Sequence, residues 1–328
     1  MTRIKRSKGY YIIDFEYTMT DDTQATLLLC AHQGGEYEHQ PLGVPEYNRV
    51  ATVLHQSQLR PQDLLASASV MEVSEKAGIR RDRLEWLLDR KINLGFKLEH
   101  WQRNGFWVLS RSDPHYPFSL RSTLGNLSPP LIFGIGDQDL VSDGGVAIVG
   151  PDSIPTSRVQ KSCHIAERVV KQKKTVIVIG SSTLSKQIVR SVLMHAGKII
   201  WILFDGQLRQ RLKKSCRLAI QDDHLVMVTT QSPSAPKGAG KKELVASIAT
   251  GLADQLLYVD GSNSKNQSKR TDQYNVLSSV MKHVDICNLF VGRTISPEGR
   301  QLKERGTPLW KDSSSNLSGK RDLFTSPQ

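Results

Sequence analysis

From residue 145 onward, short continuous runs of β-branched and other apolar residues alternate with longer stretches of helical periodicity. The runs at 146–149, 176–179, 199–203, 225–228, 256–259 and 287–291 read as strands, and the stretches at 157–172, 183–195, 207–220, 241–252 and 273–284 read as helices. A run that is apolar at every position, rather than at every second one, belongs to a strand covered on both faces. Intervening helices supply that cover. The pattern predicts an α/β domain built on a Rossmann-like, doubly wound, mostly parallel sheet. Ligands on such a sheet bind beyond the carboxyl ends of its strands, which directs attention to the segments after Gly150, Gly180, Asp205, Thr229 and Asp260.

The first hundred residues follow another rhythm. After a strand at 10–15 come helical segments near 22–31, 46–56 and 60–67, the last with Pro61 placed for a first turn. Residues 70–79 then lead through Gly78 into 80–90. Two short helices joined at a glycine suggest a helix-turn-helix or SAM-like unit, with Arg80, Arg81 and Arg83 near the start of the second helix. The alternative is an ordinary helical hairpin, and the interleaved Asp82, Glu85 and Asp89 favour it. The organisation expected is a helical domain at 1–100, the sheet domain at 101–310 and a disordered, Ser-, Lys-, Asp- and Asn-rich tail at 311–328. Residues 231–241 and 260–272 are expected to be mobile loops.

Charge changes this picture more than composition does. The chain of 328 residues is 38% hydrophobic and carries a formal net charge of +12. Residues 1–100 hold 13 Lys and Arg against 14 Asp and Glu, whereas residues 101–310 hold 28 against 16, so one domain owns essentially all of the excess. Concentrated positive charge favours a polyanion partner over mere solubility. No apolar run approaches the length of a membrane span, and the basic start of the chain meets Asp14 and Glu16 before a secretory segment forms, so a cytoplasmic protein with no membrane partner is expected. The four cysteines and nine histidines are dispersed without metal-ligand spacing, so neither a metal nor another cofactor is expected.

Glycines at strand-to-helix turns let a backbone approach a ligand, and free N–H groups at a helix start attract phosphate. Gly150 and Gly180 occupy such turns, with ordinary turn geometry as the alternative. Neither Gly-x-Gly-x-x-Gly nor a phosphate-binding Gly-x-x-x-x-Gly-Lys loop follows either strand, which removes the usual support for dinucleotide binding or nucleotide hydrolysis.

Upstream, the string Ser112-Asp113-Pro114-His115-Tyr116-Pro117, the string Ser128-Pro129-Pro130-Leu131-Ile132-Phe133-Gly134 and the string Val146-Ala147-Ile148-Val149-Gly150 occur in that order. They resemble the elements that introduce the Rossmann-like domain of the DNA-processing protein A family (DprA, also called Smf). The likeness continues through Ala196-Gly197-Lys198 and Gly251-Leu252-Ala253-Asp254 to Gly306-Thr307-Pro308-Leu309-Trp310. The resemblance implies binding of single-stranded DNA in a basic pocket at the carboxyl end of the sheet, and RNA is the alternative strand that the charge alone would accept. The resemblance also implies self-association, delivery of strands to a RecA-type recombinase and no chemical turnover, so the protein is not expected to be an enzyme. The residues expected in the binding role are Gly150, Gly180, Ser181 and Ser182 at the turns, with Lys186, Lys237, Lys241, Lys242, Lys265, Lys269 and Arg270 as a displaced cationic set that compensates for motif residues this chain lacks.

The departures from the family pattern fall in this same region. Gly180-Ser181-Ser182-Thr183-Leu184-Ser185 stands where the family has Ser-Gly-Gly-Ala-Arg-Gly-Ile-Asp, Pro151-Asp152 replaces a hydroxyl-arginine pair, and Val245-Ala246 replaces Arg-Asn. Two further readings therefore stay open: a degenerate module that docks a protein without nucleic acid, and a nucleotide-handling hydrolase, whose Pro-Gly-Gly-x-Gly-Thr signature is absent. The tail is too short to supply the winged-helix domain that many DprA proteins carry.

Overall fold

A computed structural model describes residues 5–7, 10–12, 19–35, 38–66, 68–151, 154–206, 208, 212–238, 242–259 and 287–290. The chain starts with a two-stranded antiparallel hairpin, β1 (Lys5–Ser7) and β2 (Tyr10–Ile12). Five helices follow: α1 (Asp21–Cys30), α2 (Val44–Gln56), α3 (Val70–Ala77), α4 (Arg81–Leu88) and α5 (Lys91–Arg103). Thr20 starts α1, its side-chain oxygen accepting from the Thr23 N–H at 3.2 Å, while Asp21 and Asp22 lie favourably against the helix dipole. Residues 61–66, expected as an α-helix, form a 3-10 turn instead. Asp22 and Asp63 accept from the backbone N–H groups of Gln62 (3.0 Å) and Arg60 (2.6 Å), and these side-chain acceptors hold the tighter turn.

The helices bury one core around Leu27, Leu28, Val50, Leu64, Val73, Leu84, Leu87 and Leu94. That core does not stop at the helical segment. It takes in Val108 of β3 (Phe106–Ser110) and Leu131 and Phe133 of β4 (Leu131–Ile135), and α5 runs straight across residue 100. The helical layer is thus built onto the edge of the sheet. Trp101 and Phe133 meet edge to face at 5.7 Å across this joint.

Between β3 and β4 lies α6 (Phe118–Leu124), and after β4 the chain alternates strand and helix: β5 (Val146–Val149), α7 (Thr156–Lys171), β6 (Val176–Ile179), α8 (Thr183–Met194), β7 (Ile199–Ile202), α9 (Lys214–Gln221), β8 (Leu225–Thr229), α10 (Lys242–Leu252), β9 (Gln255–Val259) and β10 (Cys287–Phe290). The eight strands are ordered β10-β9-β5-β6-β7-β8-β4-β3. All neighbours are parallel except at the β8–β4 and β4–β3 pairs. The expected helix at 273–284 and the tail at 311–328 lie outside the described residues.

The order decides which helix covers which face. Four strands run outward in sequence from β5 to β8, and their crossovers α7, α8 and α9 bury Ile165, Val169, Ile188, Val192, Cys216 and Ala219 against one face. The chain then doubles back through α10 to β9, on the other side of β5. Helices α10 and α6 bury Val245, Ile248, Leu252, Leu120 and Leu124 against the opposite face. The reversal of direction between β5 and β9 is the topological switch point, where sheets of this kind open a crevice at the carboxyl edge.

Candidate nucleic-acid interface

The two glycine turns lie at this edge, and both are packed. At Gly150 a Cβ would stand 2.9 Å from the Val259 carbonyl oxygen and 3.1 Å from Cδ2 of Leu184, so glycine lets β9 and the first turn of α8 close over the end of β5. Gly180 has a left-handed φ of +68°. Its N–H donates to the Ile202 carbonyl at 2.7 Å, and its own carbonyl accepts from the indole N–H of Trp201 at 2.7 Å. A Cβ here would lie 2.6 Å from the Phe204 ring. Both backbone groups of Gly180 are therefore engaged, and an aromatic ring covers the turn.

The serines after Gly180 organise the helix that follows. Ser182 caps α8, its hydroxyl accepting from the Ser185 N–H at 3.2 Å, and the Ser185 hydroxyl donates to the Ile179 carbonyl at 2.6 Å. Ser181 is half-buried beside them. Where the resemblance implies an arginine-bearing glycine loop, this chain uses hydroxyls to finish its own turn. Next to the turn, Ile154, Thr156, Val159, Gln160, Cys163 and His164 of the α7 side face Thr183 and Gln187 of α8 across a cleft of about 620 Å³. Its lining holds no Lys, Arg, Asp or Glu. Burial, with the nearby Glu167 carboxylate, pushes the Cys163 thiol up, away from the thiolate a nucleophile needs. Among the described residues, no group of three or more His, Cys, Asp or Glu side chains is placed to hold a metal ion.

Two of the seven expected cations have described side chains, and these two stand apart. Lys186 is exposed on the second turn of α8, and Lys237 is exposed beyond β8, two strands away. Lys242 opens α10; its side chain, together with Lys241, Lys265, Lys269 and Arg270, lies outside the described residues. The loop carrying Lys237, expected to be mobile, is pinned through residue 235. The Ser232 hydroxyl donates to the His32 carbonyl, the Trp101 indole N–H donates to the Ser234 hydroxyl at 3.1 Å, and Ala235 is buried. These contacts tie the carboxyl end of β8 to the helical layer.

The two short helices joined at Gly78 are present as expected from the sequence. Gly78 ends α3 at φ +62°, and α4 buries Leu84, Leu87 and Leu88. Its arginines are occupied: Arg80 pairs with Asp82, Arg81 reaches Glu85 at 2.7 Å, and Arg83 reaches Glu46 of α2 at 2.7 Å and the Gln40 carbonyl at 3.0 Å.

The Asp-Pro-His-Tyr-Pro string is a clasp between chain segments. Asp113 is 1% exposed and accepts from the His115 N–H at 2.9 Å, while the Tyr116 hydroxyl donates to the Pro129 carbonyl at 2.9 Å and the Arg111 N–H to the Pro130 carbonyl at 3.0 Å. The first two strings that carry the resemblance thus hold the end of β3 to the start of β4. No family model matches the sequence, and no curated protein matches it. Among solved structures, DNA processing protein A from Streptococcus pneumoniae superposes with a TM-score of 0.64 over 91% of this chain and 97% of its own, at 15% identity. The chain has the DprA fold. A structure of DprA from Helicobacter pylori, described for its unique mode of binding single-stranded DNA, aligns over 62% of this chain and 89% of its own, with a TM-score of 0.47 and 13% identity. At 15% identity, the similarity to the Streptococcus pneumoniae protein lies in the architecture.

Proposed function

We propose that this protein is a DprA-like, non-catalytic accessory protein that binds single-stranded DNA in DNA processing, recombination or defence against foreign DNA. The observation that carries the reading is the charge of the sheet domain, 28 Lys and Arg against 16 Asp and Glu, on a chain that shares its fold with DprA over 91% of its length. Phosphate neutralisation is indifferent to sequence and requires no reacting group, so affinity falls steeply with salt. Self-association and transfer of the bound strand to a RecA-type recombinase in the cytoplasm belong to the same proposal. Among the described residues no helix is long and apolar enough to cross a membrane.

Retardation of a labelled oligonucleotide by the full chain, titrated from about 50 to 200 mM salt, tests it. Binding at the low end with a steep, linear dependence of log affinity on log salt is the expected result. Absence of retardation at about 50 mM salt overturns the proposal. A second reading, a module that docks a protein partner without nucleic acid, is favoured by one observation: Phe204, Leu184 and the β9 backbone pack closely against the glycine turns. Capture of a partner that excess oligonucleotide leaves in place would support that reading.

A further inference from the structure

Most described carboxylates of the strand connections in the sheet domain stand at one edge, with half-buried Asp205, after β7, at the other. Asp137, Asp139, Asp143, Asp222, Asp223 and Asp254 all fall at the amino edge, at the entries to β5, β8 and β9 or just past the end of the antiparallel β4. Burial raises the Asp137 carboxyl, and the neighbouring Asp139 and Asp223 raise it further, as expected of crowded carboxylates. Lys171, Lys173, Lys174 and Lys198 lie at this same edge, where Lys198 stands 3.8 Å from Asp143.

The outer helical layer is the reverse. Helices α7, α8 and α9 carry four, two and two Lys or Arg residues, with Glu167 as their one carboxylate. Glu167 is already engaged by the Ser191 hydroxyl at 2.9 Å and by His164 at 3.3 Å. Lys186 and Arg190 are exposed on one face of α8, one turn or about 6 Å apart along its axis. Lys213, Lys214 and Arg217 are exposed at the start of α9, the neighbouring crossover in the same layer. None of these five cations makes an ion pair among the described residues.

Resting on the nucleic-acid reading above, we propose that the phosphate backbone of single-stranded DNA lies across the outer face of α8 and α9, on Lys186, Arg190, Lys213, Lys214 and Arg217, and not in the crevice at Gly150 and Gly180. Neither helix contains an aromatic residue, so the face offers no platform on which bases stack. Recognition there is of the backbone alone, and base identity makes no difference.

The test uses the full chain, an oligothymidylate and an abasic oligonucleotide of equal length. A variant with Lys186→Gln, Arg190→Gln, Lys214→Gln and Arg217→Gln removes four phosphate contacts, so the slope of log affinity against log salt should fall by about 3, with about a tenfold or greater loss at low salt. A control of equal charge loss, Lys76→Gln, Lys91→Gln, Lys173→Gln and Lys198→Gln, should stay within about twofold. The abasic strand should bind within about threefold of the oligothymidylate. Equal losses in the variant and the control overturn this proposal and leave the function standing, because binding then follows net charge alone. Loss of binding to the abasic strand also overturns it. A wild-type chain that binds neither oligonucleotide overturns the function itself.

Discussion

Substituting alanine at Gly180 separates a glycine kept for packing from one kept for a ligand. Two costs are built into the position. The left-handed φ of +68° is unfavourable for any residue with a Cβ, by roughly 1–2 kcal/mol. The new methyl would also stand 2.6 Å from Cε2 of Phe204, an overlap that must shift the ring at about 1–3 kcal/mol. Gly180→Ala should therefore lose about 2–5 kcal/mol in urea unfolding with an unchanged m-value. Phe204→Ala removes the obstructing ring, so in that background only the backbone share of the Gly180 penalty remains. The double-mutant cycle should show a coupling of about 1–3 kcal/mol. Oligonucleotide retention, measured where the variant is fully folded, should be unchanged. If Gly180→Ala instead moves stability by less than about 0.5 kcal/mol while weakening retention about tenfold, the turn is a ligand contact and the packing argument is wrong.

Three further outcomes are expected. Ser234→Ala leaves the indole N–H of Trp101, which is 2% exposed, without its acceptor, and should cost about 1–3 kcal/mol in the same unfolding assay. The hydrogen bond from Arg83 holds the Glu46 carboxyl below the usual range, outweighing a modest rise from burial and helped by the Gly43 N–H. Its contribution to stability is full above the unfolded pKa of about 4.3 and is lost as pH falls through the lower folded value. Glu46→Gln should thus be less stable than wild type at neutral pH, with a gap that narrows on acidification; a gap independent of pH would contradict the pairing. Replacing Arg80 and Arg81 by alanine should leave oligonucleotide retention unchanged, because both side chains are held by neighbouring carboxylates in a packed hairpin, and a loss of duplex binding would support the recognition-helix reading.

The central strands were legible because they are buried on both faces, which compresses their sequence into unbroken runs such as Val176-Ile177-Val178-Ile179. The edge was harder. In β3 the outer residues Phe106 and Trp107 are only partly covered, and in β4 Gly134 interrupts the run because the Trp107 ring occupies the space of a side chain there. Helix α5 escaped notice because Ile92 and Phe96 are exposed on it, blurring its apolar stripe. At the site, a charge summed over residues 101–310 joins unlike things. Lys171, Lys173 and Lys174 precede β6 and so stand at the amino edge, whereas Lys213 and Lys214 follow β7 and stand at the carboxyl edge. Strand direction alone would have separated them. Counting charge helix by helix would have found the α7–α9 layer, since the windows over these helices hold almost no carboxylate.

The arrangement of α9 also runs against its own stability. A helix start is the positive end of the dipole and ordinarily attracts Asp or Glu, as α1 does with Asp21 and Asp22. None of α7, α8 and α9 has an acidic residue in its first turn, and α9 places Lys213 at its cap and Lys214 at its first position. Each misplaced cation costs roughly 0.3–1 kcal/mol at low ionic strength, a penalty that nothing in the packing of Cys216 and Ala219 beneath requires. An anion arriving at this end reverses the sign, because the dipole and the lysines then act on it together. By this argument the four-residue neutral variant should unfold no earlier than wild type even as it loses DNA, since the charges it removes stabilise the complex and not the free fold.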